Sequence, residues 1–272
     1  MSKELTVLKL GGSLLTDKSK PYEARTTLID SVAKELSECL DEGLIESLVL
    51  VQGVGSYGHP PVLEHALHKG FRSEKQLLAI SKTQRIVNQL RDIVVESLQK
   101  HGVPVNLMHP SSMVVAEKMQ IKDYFLAPLR GYLKIGTVPL VGGDMLYDTA
   151  MGFSVGSGDP LAVLLTKELG AKRLLFVTDV AGIYEQDPKV NPDASLLSEV
   201  NLNELESILE QMGKSGVADA SGAMKGKLGA LKLTKDLIEK GLEVALLSMM
   251  QPDNLRGFLR GDEVEATRVV VR

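Results

Sequence analysis

Leu5 to Leu10 is a short apolar, β-rich run that stops at Gly11-Gly12, the pattern of a buried strand feeding a tight turn. From Thr27 to Leu40 the apolar residues Leu28, Ile29, Val32, Leu36 and Leu40 fall at helical spacing, and Leu48 to Val51 returns to a buried strand. Gln76 to Lys100 carries Ile86, Leu90, Ile93, Val94 and Leu98 on one helical stripe, with a strand predicted at Val103 to Met108. Thr137 to Val141 reads as another buried strand, and Asp144 to Val155 as a hairpin that turns around Thr149 to Gly152 and projects beyond the main sheet. Ser157-Gly158-Asp159-Pro160 has the order of a helix start, with Asp159 as N-cap and Pro160 first in the helix. Leu174 to Val177, a long helix through Lys225 to Lys240, Val244 to Leu247 and a last strand at Val269 to Val271 continue the β-α-β rhythm.

Parallel strands joined by helical crossovers imply an α/β protein, a three-layer α/β/α sandwich with a mainly parallel central sheet and ligands at the carboxyl ends of the strands. A single domain over 1–272 is expected, divided near 155 into an acceptor-binding half and a nucleotide-binding half.

Composition narrows the partners more than the fold. With 31 Lys+Arg against 35 Asp+Glu, the net charge of -4 argues against an extended nucleic acid as the main partner, and 4% aromatics without Trp gives little to stack on bases. Cys39 stands alone within a helical pattern, so packing explains it better than catalysis. No secretory segment or membrane span is legible, and a cytoplasmic location is the expectation.

The chemistry gathers where apolar runs meet glycine. In VLKLGGSLLTDK, Lys9 lies inside a buried-strand pattern, Gly11, Gly12 and Ser13 follow, and Lys18 comes next. Glycines let backbone N–H groups approach phosphate oxygens while lysines add charge, although an edge-strand lysine beside plain turn glycines would read the same way. LVLVQGVGSYGHP repeats the theme, a strand running into a glycine loop that carries Gly53, Gly55, Gly58 and Ser56 and ends at His59. Its G-x-G-x-x-G match lacks the acid-ended strand that a dinucleotide site needs about 20 residues on. LLFVTDVAGIYEQDPK ends a strand at Thr178-Asp179 and carries Tyr184, Asp187 and Lys189 in the loop beyond. DASGAMKGKLGALKL places Lys225 and Lys227 at a helix start, where they oppose the macrodipole unless an anion is present.

Taken in order, Lys9-x-Gly11-Gly12-Ser13, the Gly53 to Gly58 segment, Thr178-Asp179 with Gly182-Ile183-Tyr184 and Asp187-Pro188-Lys189, and Gly222 to Lys227 are together similar to the amino acid kinase superfamily over essentially the whole chain. Within it, GSYGHP, the lysine after TD, and GGDMLYD followed by GFSVGSGD resemble isopentenyl phosphate kinases. Three positions depart from that pattern: Gln52 stands where His is usual, Val54 where Gly or Ala is usual, and Ala223 where Gly is usual.

The resemblance implies ATP and Mg²⁺ as cofactors, a small isoprenoid monophosphate as acceptor and a homodimer. It implies Lys9, Lys18, His59, Asp179 and Lys227 as the catalytic set, with Asp179 orienting lysines and His59 on the acceptor phosphate. ATP would be bound by Lys9, Gly11, Gly12, Ser13, Gly55, Thr178, Asp179, Tyr184, Asp187, Lys189, Ala223 and Lys227. The acceptor would be bound by Val54, Gly55, Ser56, Gly58, His59, Gly143, Gly156 and Gly158, with its apolar tail along the Leu77 to Leu90 helix. No protein metal ligand is expected, since Mg²⁺ would arrive with ATP. A fosfomycin-type kinase and a non-catalytic nucleotide-binding protein of the same fold are the alternatives.

Overall fold

The computed structural model describes residues 3–17, 19–186, 188, 190–208 and 223–272, with the side chains of 223–225 excepted. The opening run forms β1 (Leu5–Leu10), followed by the short α1 (Gly12–Leu15), α2 (Thr26–Asp41) and β2 (Ser47–Gln52). Then come α3 (Gly55–Glu64), α4 (Leu77–Lys100), β3 (Val105–Leu107), β4 (Val114–Glu117), β5 (Gln120–Tyr124), α5 (Ala127–Lys134) and β6 (Val138–Gly142). The hairpin strands are β7 (Asp144–Asp148) and β8 (Gly152–Gly156), followed by α6 (Gly158–Leu169) and β9 (Arg173–Thr178). Short strands β10 (Ile183–Tyr184), β11 (Leu196–Leu197) and β12 (Glu199–Asn201) precede α7 (Ala223–Lys232), α8 (Lys235–Ile238), β13 (Glu243–Ser248), α9 (Asn254–Arg260) and β14 (Ala266–Val270).

The central sheet has the order β12-β14-β13-β9-β1-β2-β6-β3. Its pairings from β13 to β3 are parallel, while β14 runs antiparallel to β13 and carries β12 alongside it. Alternation along the strands splits the core. Val7, Val49, Val141 and Phe176 face Leu161, Leu165 and Leu228 on one side; Leu8, Leu50, Leu140 and Val177 face Leu36, Leu90 and Phe258 on the other. Helices thus cover both faces, giving the three layers expected from the crossovers. Cys39 is buried in the second layer, and burial pushes its thiol up to about 12.

The hairpin β7–β8 belongs to a separate sheet of order β5-β4-β7-β8, as its projection beyond the main sheet requires. Asp148 holds its turn by accepting the backbone N–H groups of Lys118, Met119, Ala150 and Met151 at 2.9–3.0 Å. Strands β4 and β5 escape the apolar pattern because β5 is almost wholly exposed and gains its place by pairing with β4.

Four local expectations need correction. The N-cap of α6 is Ser157, whose hydroxyl accepts the Asp159 N–H at 3.3 Å; the Asp159 carboxylate turns inward to a lysine instead. The glycine segment around His59 is mostly helix, with α3 beginning at Gly55. The long helix expected to Lys240 breaks after Lys232, where the N–H and hydroxyl of Thr234 both go to the Leu231 carbonyl, at 2.9 and 2.7 Å. The third-strand expectation shrinks to Val105–Leu107, edge residues pairing only with β6.

Candidate active site

Register brings the carboxyl ends of the central strands level, with Leu10 opposite both Gln52 and Val177, Gln52 opposite Gly142, and Thr178 opposite Ser248. The chemistry therefore converges on one edge, where the strand order reverses at β1.

Two glycine corners meet there, backbone on backbone. A Cβ on Gly12 would lie 2.3 Å from the Gly55 nitrogen, and one on Gly53 would lie 2.5 Å from the Gly12 nitrogen. Gly55 also adopts φ +47, which only glycine accepts without strain. Thr16 locks the pair, its hydroxyl donating to the Gly12 carbonyl at 2.8 Å and accepting the Ser56 N–H at 2.9 Å. Pro60 has no N–H to return to Ser56, and the Ser56 carbonyl accepts the Tyr22 N–H at 3.3 Å. That bond ties the segment after Thr16 to α3. Lys18, in that segment, lies outside the described residues.

Lys9 projects from β1 towards the α6 layer. Its Nζ is 2.7 Å from Asp159 Oδ1, and Lys227 Nζ from α7 approaches the same oxygen at 3.7 Å. All three are buried, with exposures of 6%, 8% and 5% for Lys9, Asp159 and Lys227. Burial by itself would raise the Asp159 carboxyl, but the two lysines outweigh it and hold the group below its ordinary value. Burial and the neighbouring Lys9 charge bring the Lys227 ammonium down to about 8, against the opposing pull of Asp159. Lys227 also sits 5.2 Å from the centre of the Phe176 ring. Two ammonium groups around one carboxylate leave a surplus of positive charge where Gly158 opens α6, a setting suited to a phosphoryl group. A Cβ on Gly158 would lie 3.3 Å from the Gln52 carbonyl, a tight contact, and 3.7 Å from Lys9 Cε, an ordinary one, so there is little spare room beside the lysine stem.

Around the ends of β6 and β8, Gly143 is the meeting point. A Cβ there would lie 3.0 Å from Val54 Cγ1, 3.1 Å from the Gly156 carbonyl and 3.8 Å from the Gly158 nitrogen. Val54 also fills the space over Gly58, whose added Cβ would lie 2.4 Å from Val54 Cγ2 and 3.6 Å from Val87 Cγ2 on α4. The larger residue at 54 is thus seated between two glycines. His59 is exposed on α3, and the Ser56 hydroxyl is buried without a hydrogen-bond partner among the described residues.

At the end of β9, Thr178 donates its hydroxyl to Asp179 Oδ1 at 3.1 Å and its carbonyl accepts the Ser248 hydroxyl at 3.0 Å. Tyr184, on β10, is half-buried, and burial raises its phenol. Thr267 anchors this loop: its hydroxyl accepts the Ile183 N–H at 2.8 Å, and a Cβ on Gly182 would lie 2.3 Å from it. Asp187 and Lys189 lie outside the described residues, as do Gly222 and the side chains of Ala223 and Lys225. The structure thus brings together Lys9, Gly11, Gly12, Gly55, Gly143, Gly156, Gly158 and Lys227 around neighbouring strand ends. Asp159 and Thr267 were missed as site residues. An acid in the first turn of a helix reads as a cap, and a lone threonine in a last strand carries no signal.

The family model described as "Amino acid kinase family" matches residues 4–241. The isopentenyl phosphate kinase of Methanothermobacter thermautotrophicus is 34% identical, covering 97% of this chain and 98% of its own. That of Methanocaldococcus jannaschii is 30% identical over 85% and 88% of the two chains. Among solved structures, an isopentenyl phosphate kinase superposes with a TM-score of 0.80 at 30% identity, covering 98% of this chain and 100% of the other. An isopentenyl phosphate kinase substrate complex gives 0.80 at 26% identity, with 98% and 99% covered. With the shared fold, the strand-end glycines and a family match spanning most of its length, this chain belongs to the amino acid kinase family and resembles the isopentenyl phosphate kinases within it.

Proposed function

We propose that the protein transfers the γ-phosphoryl group of ATP to the phosphate of isopentenyl phosphate, forming isopentenyl diphosphate. The observation that carries this reading is Asp159 shared between Lys9 and Lys227 at the mouth of α6. Phosphoryl transfer needs positioning and cations more than covalent help, and two buried ammonium groups with one counter-charge supply a preorganised anion site. An alkyl phosphate has a second pKa of about 6 and is already a nucleophile near neutrality, so no general base is required.

In this reading Lys9, Lys18 and Lys227 clamp the transferred group, and Asp159 adds to the orienting role assigned to Asp179. His59 donates to the acceptor phosphate, while Val54, Gly55, Ser56, Gly58, Gly143, Gly156 and Gly158 form its cradle. The acceptor tail runs along α4, which Val87 brings beside Gly58. The nucleotide lies towards Gly11, Gly12, Ser13, Thr178, Asp179 and Tyr184, with Asp187, Lys189 and Ala223 beyond. The division into an acceptor half and a nucleotide half near 155 is then approximate, since Gly156 and Gly158 reach the acceptor from the second half and Gly11, Gly12 and Ser13 reach the nucleotide from the first.

Among the described residues no group of three acidic, His or Cys side chains could hold a metal ion. Mg²⁺ would arrive with ATP, held mostly by the nucleotide and water, and would supply charge neutralisation. No helix among the described residues is long and apolar enough to cross a membrane. A homodimer and a cytoplasmic setting accompany this reading through the family resemblance.

The test is ATP-dependent turnover of isopentenyl phosphate, dimethylallyl phosphate, fosfomycin and acetylglutamate, compared by kcat/KM. Preference for isopentenyl phosphate by orders of magnitude is expected. Turnover of fosfomycin alone would replace the acceptor, and no turnover of any would favour a non-catalytic nucleotide-binding protein.

A further inference from the structure

Beneath the acceptor-side corner lies a charged residue to which the chemistry above assigns no part. Arg91, on the inward face of α4, is 1% exposed and sits in the layer of Leu90 and Val94. Its Nη2 donates to the Gly143 carbonyl and its Nη1 to Asn88 Oδ1 at 2.5 Å, with Asp144 Oδ1 3.9 Å away. Asp144 is itself held by the Ser111 N–H at 3.0 Å, the Met145 N–H at 2.9 Å and the Gln84 amide at 3.3 Å.

Burying a guanidinium and carboxylate is costly, and an apolar pair of similar volume often serves stability as well. What an apolar pair cannot do is grip a carbonyl. Gly143 is held from both sides: its N–H donates to the Gln52 carbonyl at 3.0 Å and its carbonyl accepts from Arg91. Its Cα is the point at which Val54, Gly156 and Gly158 converge, with Gly156 and Gly158 at the end of β8 and the start of α6. A small rotation of Gly143 would move those elements relative to Val54.

We infer that Arg91 is a positioning residue for the acceptor site, fixing Gly143 from below so that the Val54, Gly156 and Gly158 corners keep the spacing the acceptor phosphate requires. This rests on the acceptor reading proposed above. Arg91 does not touch the reacting atoms; it acts through the Gly143 carbonyl. The nucleotide side, built on β1, β9 and the Thr267 anchor, does not depend on it.

Two variants test this. Arg91→Met combined with Asp144→Asn removes the charges together, so no unpaired ion is left buried. Arg91→Lys keeps a charge near Asp144 but loses the fork that reaches both partners. KM and kcat would be measured for isopentenyl phosphate and for ATP, with thermal melting as the check on folding. For the double variant, the acceptor KM is expected to rise tenfold or more while the ATP KM stays within twofold, and Arg91→Lys should fall between it and the wild type. Acceptor KM within twofold of wild type in the double variant overturns the inference. So does a parallel rise for both substrates, which marks a merely structural role. If the double variant does not fold, Arg91→Lys decides: a selective rise in acceptor KM supports the inference, and an unchanged or parallel response overturns it. Absence of wild-type turnover on isopentenyl phosphate would instead overturn the functional reading, and this inference with it.

Discussion

Lys9 in the first strand and Asp159 in the first turn of α6 form a buried ion pair at 2.7 Å, and the same carboxylate oxygen lies 3.7 Å from Lys227. One acid thereby sets the spacing of two cations drawn from opposite ends of the chain. Long-range order at this point is electrostatic as well as topological.

Asp159→Asn should separate orientation from anion binding. Without the carboxylate, the two ammonium groups repel and Lys227 gives up its proton more readily still. We expect kcat to fall on the order of 10²-fold and stability to drop by roughly 3 kcal/mol. Steady-state kinetics with denaturant melts would check this, and wild-type kcat in a folded Asp159→Asn protein would sink the orienting role.

The Lys227 ammonium, brought down to about 8, makes opposite predictions for activity and stability. In the free enzyme its charge is lost as pH rises through about 8, so kcat/KM for ATP should decline above that point. Lys227→Arg should remove the decline, because a guanidinium stays protonated. For stability, the unfolded chain binds more protons than the folded one from about 8 to the ordinary lysine value of about 10.4. Stability contributed at this site therefore rises with pH across that window. Unfolding at pH 7 and pH 9.5, compared between wild type and Lys227→Met, isolates the effect; a contribution that falls across the window would contradict it.

His59→Ala should abolish acceptor phosphorylation, lowering kcat/KM for isopentenyl phosphate on the order of 10²-fold or more. ATP binding, followed by calorimetry, should survive. Loss of both would mean that the substitution had merely unfolded α3.

The hairpin carries its own pH signature. Burial would raise Asp148, but the N–H groups of Met119, Ala150 and Met151 outweigh it and bring the group down to about 2. A carboxylate with a folded pKa below its unfolded value contributes stability above about pH 4 that is lost as pH falls towards about 2. Asp148→Asn should cost about 1–2 kcal/mol at pH 7, and the gap to wild type should narrow at pH 3. Urea unfolding at both pH values reads this directly, and a gap that widened in acid would refute it.

Much of the architecture was legible because its signals are local. The helical stripes of α2 and α4, the apolar runs of β1, β2, β6 and β9, and the hairpin about Thr149 to Gly152 appear within a few residues of their expected bounds. β4, β5, α5 and α9 were not legible, since their placement comes from partners distant in sequence. The glycine corners were visible as motifs, but their reason was not: Gly12 and Gly53 are required by each other's backbone, across the sheet.

By itself, the sequence determined the alternation of strands and helices, the glycine-lysine positions and hence a phosphate-handling α/β protein, because periodicity and turn chemistry act over a few residues. Only the tertiary structure decided that Asp159 would leave its capping role to Ser157 and join Lys9, that Arg91 would grip Gly143, and that Thr267 would anchor the loop before Tyr184. Those pairings depend on strand order and register, which bring distant side chains within reach, and no local pattern encodes that proximity.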